Sequence, residues 1–121
     1  MGNPFVYVEL YTSDVDKAKK FYSSLFDWKI NEIPMGPDGK YNMLDVGEGT
    51  GGGMLKNMIP NTPSHWMAYV LVDDVEAATK KAKGLGAKVM KEKTEVPGFG
   101  WFTMITDPTG AALALWEPKN K

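Results

Sequence analysis

The chain alternates between short apolar runs and polar turns, and this pattern repeats after 60 residues. Residues 5–30 align with residues 65–90, and Asp14 falls on Asp74. In each copy, an apolar run rich in Val, Tyr and Leu precedes a helical pattern and three further apolar runs. A repeat of this length predicts two copies of one βαβββ unit.

The apolar runs give the strand boundaries. We predict strands at 5–12, 28–33, 40–46 and 52–56 in the first copy, and at 66–72, 87–93, 101–106 and 111–116 in the second. Turn-forming segments separate these runs, among them Pro37-Asp38-Gly39. Residues 57–64 contain two prolines and predict a linker, so module 1 covers 4–56 and module 2 covers 65–118.

Polar residues mark the ends of the two helices. Ser13 or Asp14 is expected to cap the first helix, and the sequence leaves both open. Asp73 is expected to cap the second helix, because Glu76 follows at the spacing of a capping box. Gly86 is expected to end that helix in a left-handed conformation.

A helix followed by three strands covers only one face of its own sheet, so the other face needs a partner or encloses a cavity. Two such units are expected to form one α+β domain with an open, curved mixed sheet around a shared cavity. The length of 121 residues suits a single domain. The run Gly51-Gly52-Gly53 lacks the helix and Lys-Ser/Thr of a phosphate loop, and it is expected to let a strand kink or another backbone approach closely.

The composition excludes several kinds of site and partner but does not identify a function. Cys is absent, which excludes disulfides, thiolate metal sites and a Cys nucleophile. The net charge is −1, so neither nucleic acid nor a membrane is an expected partner. All 14 basic residues are Lys and Arg is absent, which disfavours a site for a strongly anionic ligand. No signal-like or long apolar segment is apparent, and a cytoplasmic location is expected.

Three motifs in register resemble the vicinal oxygen chelate superfamily, which includes glyoxalases, bleomycin-resistance proteins and extradiol dioxygenases. TSDVDKAKKFY (12–22) resembles the end of the family's opening strand, its Asp turn and its first helix. VDDVEAATKKAKGLGAKV (72–89) resembles the second-module helix with its Leu-Gly stop, and DPTGAALALWE (107–117) resembles the closing turn and last strand. The resemblance implies a homodimer, which would also cover open sheet edges.

In metal-dependent members of that superfamily, four strand positions supply the metal ligands. The resemblance assigns these positions here to Tyr7, Met54, Met67 and Ala114. None of these side chains offers a carboxylate or an imidazole to a divalent ion. We therefore expect no metal ion and no other cofactor.

Strand alternation places the candidate ligand-binding residues on one face of the sheet. We expect this face to bind a small hydrophobic or aromatic ligand of unknown identity. Its expected lining is Tyr7, Tyr11, Met54, Met67, Tyr69, Ala114 and Trp116.

Glu9 and His65 are the candidate catalytic residues. Glu9 is either a carboxylate held by Tyr or backbone donors, or a general base that desolvation activates. His65 is either a partly exposed residue at the start of a strand, or a proton shuttle that works with Glu9.

Three functions remain open at this point. One is a metal-free binding protein that resembles the bleomycin-resistance branch and binds its ligand between the modules. The second is a lyase or isomerase of the glyoxalase type with Glu9 as general base. The third is a protein-interaction module, for which a filled cavity and one large exposed apolar patch are expected.

Overall fold

A computed structural model of the chain describes residues 2–34 and 40–120. The predicted turn Pro37-Asp38-Gly39 lies outside the described residues. The first module contains β1 (Phe5–Thr12), α1 (Val15–Leu25), β2 (Lys29–Pro34), β3 (Lys40–Asp45) and β4 (Gly52–Lys56). The second contains β5 (His65–Leu71), α2 (Val75–Gly84), β6 (Lys88–Val96), β7 (Gly100–Thr106) and β8 (Ala112–Pro118). The duplicated βαβββ order is confirmed.

The strands form a mixed sheet arrangement with the same order in both modules. Read outward from its opening strand, the first module has the order β1-β4-β3-β2, and the second has the order β5-β8-β7-β6. In each module the first and last strands pair in parallel, and the other neighbours pair antiparallel. The α+β class is therefore confirmed.

Both helices begin at an aspartate. Asp14 caps α1, and its carboxylate accepts from Lys17 N at 3.0 Å. The prediction of Asp73 for α2 was wrong by one residue. Asp74 has the extended backbone of a cap, and its Oδ1 accepts from Glu76 N at 3.0 Å and Ala77 N at 3.1 Å.

Helix α2 ends as the sequence predicts. Gly86 has a φ of 103°, and its amide donates to Lys83 O at 3.1 Å, while Ala87 N donates to Ala82 O at 3.0 Å. This pair of bonds is a Schellman motif, which needs a residue without a Cβ penalty in the left-handed region. Among the described residues, no helix is long and apolar enough to cross a membrane.

The chain divides into two compact units, each with its own core. The first unit is Tyr7–Met67, and the second joins the residues up to Val6 with Ala68 onward. Leu10, Leu44 and Met54 form the buried core of the first unit, with apolar residues of α1 packed against it. Val75, Ile105 and Leu115 form the buried core of the second.

Candidate functional site

A hydrogen-bonded chain of two phenols and a carboxylate lies in the first unit. Tyr41 Oη donates to Glu9 Oε2 at 2.5 Å, and the Oη atoms of Tyr7 and Tyr41 are 2.6 Å apart. Because Tyr41 gives its proton to the carboxylate, Tyr7 supplies the proton of the second bond. Glu9 is only 8% exposed, and the Tyr41 phenol that donates to its carboxylate helps to fix its position.

Three neighbouring strands bring these groups together. Tyr7 and Glu9 share one face of β1 because they are two residues apart. Strand β4 lies between β1 and β3, and its Gly53 pairs with both Glu9 and Met43. A Cβ atom on Gly53 would lie 1.7 Å from Tyr41 Oη. The absence of a side chain at Gly53 therefore gives the Tyr41 phenol the space to reach Glu9.

The environment keeps both phenols protonated. Burial is the main reason that the pKa of Tyr41 is raised well above its ordinary value, and the charge of Glu9 and the hydrogen bonds raise it further. Burial also raises the pKa of Tyr7, with a contribution from Glu9, while the hydrogen bond to Tyr41 lowers it. The two hydroxyls are thus hydrogen-bond donors at neutral pH.

Tyr11 and His65 also meet in the first unit. Their rings pack edge to face with centroids 5.4 Å apart, and Tyr11 is fully buried. His65 Nδ1 lies 2.7 Å from Pro63 O. Since a carbonyl only accepts, Nδ1 carries a proton, and Nε2 is the acceptor of the neutral ring. A proton shuttle between His65 and Glu9 stays a prediction.

Met54 does not lie on the face of Tyr7 and Glu9, and this expectation was wrong. Met54 pairs in parallel register with Leu10 and packs with Leu10 and Leu44 in the core beneath α1. Registered residues of neighbouring strands point to the same face of a sheet. Met54 therefore faces the helix, on the side opposite to Glu9.

The cause of this error is a slip of one residue between the modules. Glu9 pairs with Gly53 in the first unit, and Tyr69 pairs with Ala114 in the second. The repeat shift is thus 60 on the first strand but 61 on the last. A slip of one residue moves every side chain of a strand to the other face.

The remaining predicted ligand-binding residues are buried or half-buried. Met67 is fully buried in the first unit. In the second unit, Tyr69 and Ala114 are buried side by side, and Tyr69 contacts Phe102 edge to face at 6.0 Å. Trp116 pairs with Phe102 across β7 and β8 and shares a face with Ala114. Tyr69, Ala114 and Trp116 thus form one group, while their role in ligand binding stays a prediction.

The side chains at the four positions that the resemblance assigns, and Gly53, which the strand register matches with Ala114, do not fit a divalent metal ion. Tyr7 is a protonated phenol that is bonded to Tyr41, Met54 faces the helix, and Ala114 has only a methyl group. Met67 offers a thioether, which is a poor ligand for hard or borderline ions. Across residues 2–34 and 40–120, no group of three or more His, Asp or Glu side chains could hold a metal.

An apolar recess of about 520 Å³ opens on the helix side of the first unit. Its aromatic wall is tightly braced: Tyr22 and Trp28 stack at 5.7 Å, and Trp66 lies edge-on to both, at 5.4 Å and 6.3 Å. The residues that line it are Val8, Tyr22, Phe26, Trp28, Leu44, Val46, Thr50, Gly51, Gly52 and Trp66.

The sequence reasoning missed both this recess and Tyr41, although the glycine run signals them. A Cβ on Gly52 would lie 2.0 Å from Val8 O, which confirms the predicted close approach of two backbones. Gly53 makes the space for Tyr41. The glycine run thus indicates the strand that borders both the recess and the Tyr41 phenol. Only the strand pairing shows which side chains lie there.

Two curated proteins illustrate the chain's relatives. It is 38% identical over 116 residues to "Putative glyoxylase CFP32" of Mycobacterium bovis, an alignment that covers 92% of this chain and 44% of that protein. It is 26% identical over 126 residues to "Anthracycline biosynthesis protein DnrV" of Streptomyces peucetius, with 92% and 46% covered. The chain therefore spans less than half the length of the curated relatives it matches.

Solved structures share the fold at low identity. A hypothetical protein from Bacillus halodurans C-125 superposes with a TM-score of 0.72 at 14% identity, covering 100% of this chain and 98% of that one. Methylmalonyl-CoA epimerase from Mycobacterium tuberculosis gives 0.67 at 16% identity, covering 94% and 87%. A family model matches residues 5–115. The chain therefore belongs to the Glyoxalase/Bleomycin resistance protein/Dioxygenase superfamily.

Proposed function

We propose that the protein binds a small hydrophobic or aromatic molecule without a metal ion, and that the ligand's polar end contacts the Tyr7–Tyr41–Glu9 cluster. The observation that carries this proposal is the buried hydrogen-bonded chain from Tyr7 through Tyr41 to Glu9. A few fixed polar groups among apolar and aromatic side chains are typical of small-molecule sites. Tyr11 and Met67 supply such buried apolar surroundings in the same unit.

The charge of the cluster limits the ligand. Glu9 carries the one negative charge of the three groups, and the raised pKa values keep Tyr7 and Tyr41 neutral. A carboxylate or phosphate on the ligand would be repelled by Glu9, and Arg, the usual partner of such anions, is absent from the chain. The proposal therefore specifies a neutral ligand with a hydrogen-bonding group at one end.

The proposal keeps two expectations from the sequence. The active form is a homodimer, and the protein is cytoplasmic. A single species of twice the chain mass in light scattering supports the dimer, and a monomer at micromolar concentration refutes it.

A second candidate function is proton transfer at a carbon next to a carbonyl, as in a lyase or isomerase. Glu9 supports it, because a buried and oriented carboxylate is suited to act as a general base. In this step the Glu9 carboxylate takes the proton from carbon, the electron pair moves to the carbonyl oxygen, and the proton returns to carbon from Glu9. Tyr41 would orient the carboxylate.

A screen of neutral aromatic and 2-oxo compounds by thermal melting tests binding. A ligand at about 100 times its Kd should stabilise the protein by about 2.7 kcal/mol. We expect Tyr41→Phe and Gly53→Ala to reduce the shift, the latter by displacing the Tyr41 phenol. Phe99→Ala, at an exposed residue of the second unit, is the matched control. Equal shifts in all variants would refute the proposed site.

Deuterium incorporation from D₂O separates the two functions. A bound 2-oxo compound that exchanges its α-proton with wild-type protein but not with Glu9→Gln supports catalysis. Binding without exchange supports the binding protein.

A further inference from the structure

The aromatic recess lies on the helix side of the first unit, on the face opposite the Tyr7–Tyr41–Glu9 cluster. The aromatic recess has Val8, Leu44 and Gly52 at its floor. Val8 alternates with Tyr7 and Glu9 along β1 and therefore faces the opposite side of the sheet. The recess volume of about 520 Å³ lies within the range of roughly 300–1,000 Å³ that is usual for small-molecule sites.

Two neighbouring strands exclude a side chain from one position of the recess floor. Gly52 pairs with Val8 of β1 and with Leu44 of β3. A Cβ on Gly52 would collide with the Val8 carbonyl, an atom that the strand pairing fixes in place. The close approach of the two backbones therefore requires glycine at this position of the floor.

The wall of the recess is rigid but incompletely covered. Trp28 stacks on Tyr22, and Trp66 braces both rings edge-on. Phe26 packs on Trp28 at 4.8 Å, yet Phe26 is 45% exposed and Trp66 is 39% exposed. Covering such aromatic surface is favourable by about 25 cal/mol per Å², and a ligand would find its contacts already arranged.

The lining determines the chemistry of the occupant. None of its ten residues carries a charge. The Gly51 carbonyl already accepts from Val8 N at 3.2 Å, and Thr50 supplies the one side-chain hydroxyl besides Tyr22. A charged group would lose its hydration in this recess without gaining a counter-ion. We propose that the recess formed by Tyr22, Trp28, Trp66 and the Val8–Gly52 floor binds a neutral, flat, apolar small molecule.

The size of the recess favours a small molecule over a second copy of the chain. A stable protein interface needs about 800 Å² from each partner, whereas the recess is a concave site lined by ten residues. A flat ring system can stack on the Trp66 and Phe26 faces and fill the volume.

Titration with N-phenyl-1-naphthylamine, a neutral apolar fluorophore that brightens in apolar sites, tests the site on the intact chain. We expect saturable binding of one probe per chain at this recess. Trp66→Ala removes a wall and should weaken binding by about tenfold or more. Val8→Phe fills the floor and should do the same, while the exposed control Phe99→Ala should bind as wild type.

Two further measurements make the result decisive. Glu9→Gln should leave probe binding unchanged, because Glu9 lies on the opposite face of β1. Unchanged binding in both Trp66→Ala and Val8→Phe would overturn the site, and so would loss of binding in Glu9→Gln. Sedimentation provides the last check: a dimer that Trp66→Ala converts to monomer would show that a second copy covers the recess, and would overturn the small-molecule assignment.

Discussion

The two modules share one topology but use it differently, and their helices show the contrast first. Helix α2 buries Val75 and Thr79, whereas α1 has no buried residue. Thr79 Oγ1 donates to Val75 O at 2.6 Å and lies 3.0 Å from Thr103 Oγ1 of β7. Glu117 of β8 accepts from Val75 N at 2.9 Å. The second helix is thus tied to its sheet by polar bonds as well as by apolar packing.

The two units also differ on the face of the sheet that lies opposite the helix. At the matching strand pair, the first unit has Glu9 beside Gly53, and the second has Tyr69 beside Ala114. The first pair places a buried carboxylate beside a position without a side chain, which leaves space that the Tyr41 phenol enters, while the second pair buries an aromatic ring beside a methyl group. The comparison indicates that the second unit ties its helix closely to the sheet, whereas the first unit has a recess on its helix side and a phenol–carboxylate cluster on the other face.

The largest expected effect tests where stability lies. Val75→Ala removes two methyl groups from a fully buried position of α2 and should lower the free energy of unfolding by about 2–3 kcal/mol. Val15→Ala, the matched change at the first residue of α1, should cost less, since Val15 is only partly buried. Urea denaturation measures both. Equal losses would break the contrast between the two helices.

The next effect concerns the buried charge. Tyr41→Phe removes the donor from Glu9 and should cost about 1.5–3 kcal/mol, because a buried carboxylate loses a charged hydrogen bond. In a double-mutant cycle with Glu9→Gln, the two changes should couple by about 0.5–3 kcal/mol. Tyr22→Phe in the aromatic recess is the control. Purely additive losses would show that the bond contributes nothing to stability.

The smallest expected effect appears at alkaline pH. The pKa values of Tyr7 and Tyr41 are raised in the folded state, mainly by burial, so the unfolded chain releases these protons first. Stability from this source is complete below pH ~10 and falls above it, by up to about 1.4 kcal/mol per pH unit for each tyrosine. The free energy of unfolding is measured for wild type and Tyr41→Phe between pH 9 and 11. Both proteins have the same lysines, so the difference between their slopes gives the contribution of Tyr41. An identical slope in both proteins would contradict the raised pKa.

Periodicity and turn chemistry were sufficient to predict the elements of the fold. The predicted bounds of β1 and β4 agree with the structure, because polar or glycine-rich turns flank their apolar runs. The cap of α2 was predicted one residue too early, since Asp73 and Asp74 are adjacent and either could begin a helix. The helix geometry, which places Asp74 Oδ1 against two amides, decides between them.

The site was predicted only in part, because it depends on pairings between distant strands. Alternation along β1 was enough to place Tyr7 and Glu9 together. Tyr41 is 32 residues from Glu9, and its contact depends on Gly53 in a strand between them. The slip that separates Met54 from the position of Ala114 arises within β6, whose pairing with β7 is irregular between Val89 and Thr94. Apolar periodicity alone does not locate such irregularities.

We propose that the first unit carries the ligand site and needs no metal ion. An amide chemical-shift map of the EDTA-treated protein, recorded during titration with neutral aromatic fragments from the thermal screen, tests this proposal. We expect the largest shifts at Tyr7, Glu9 and Tyr41, and we expect Tyr41→Phe to reduce them. Fragment binding that appears only after a divalent ion is restored, or shifts confined to Val75, Thr79 and their neighbours, would contradict it.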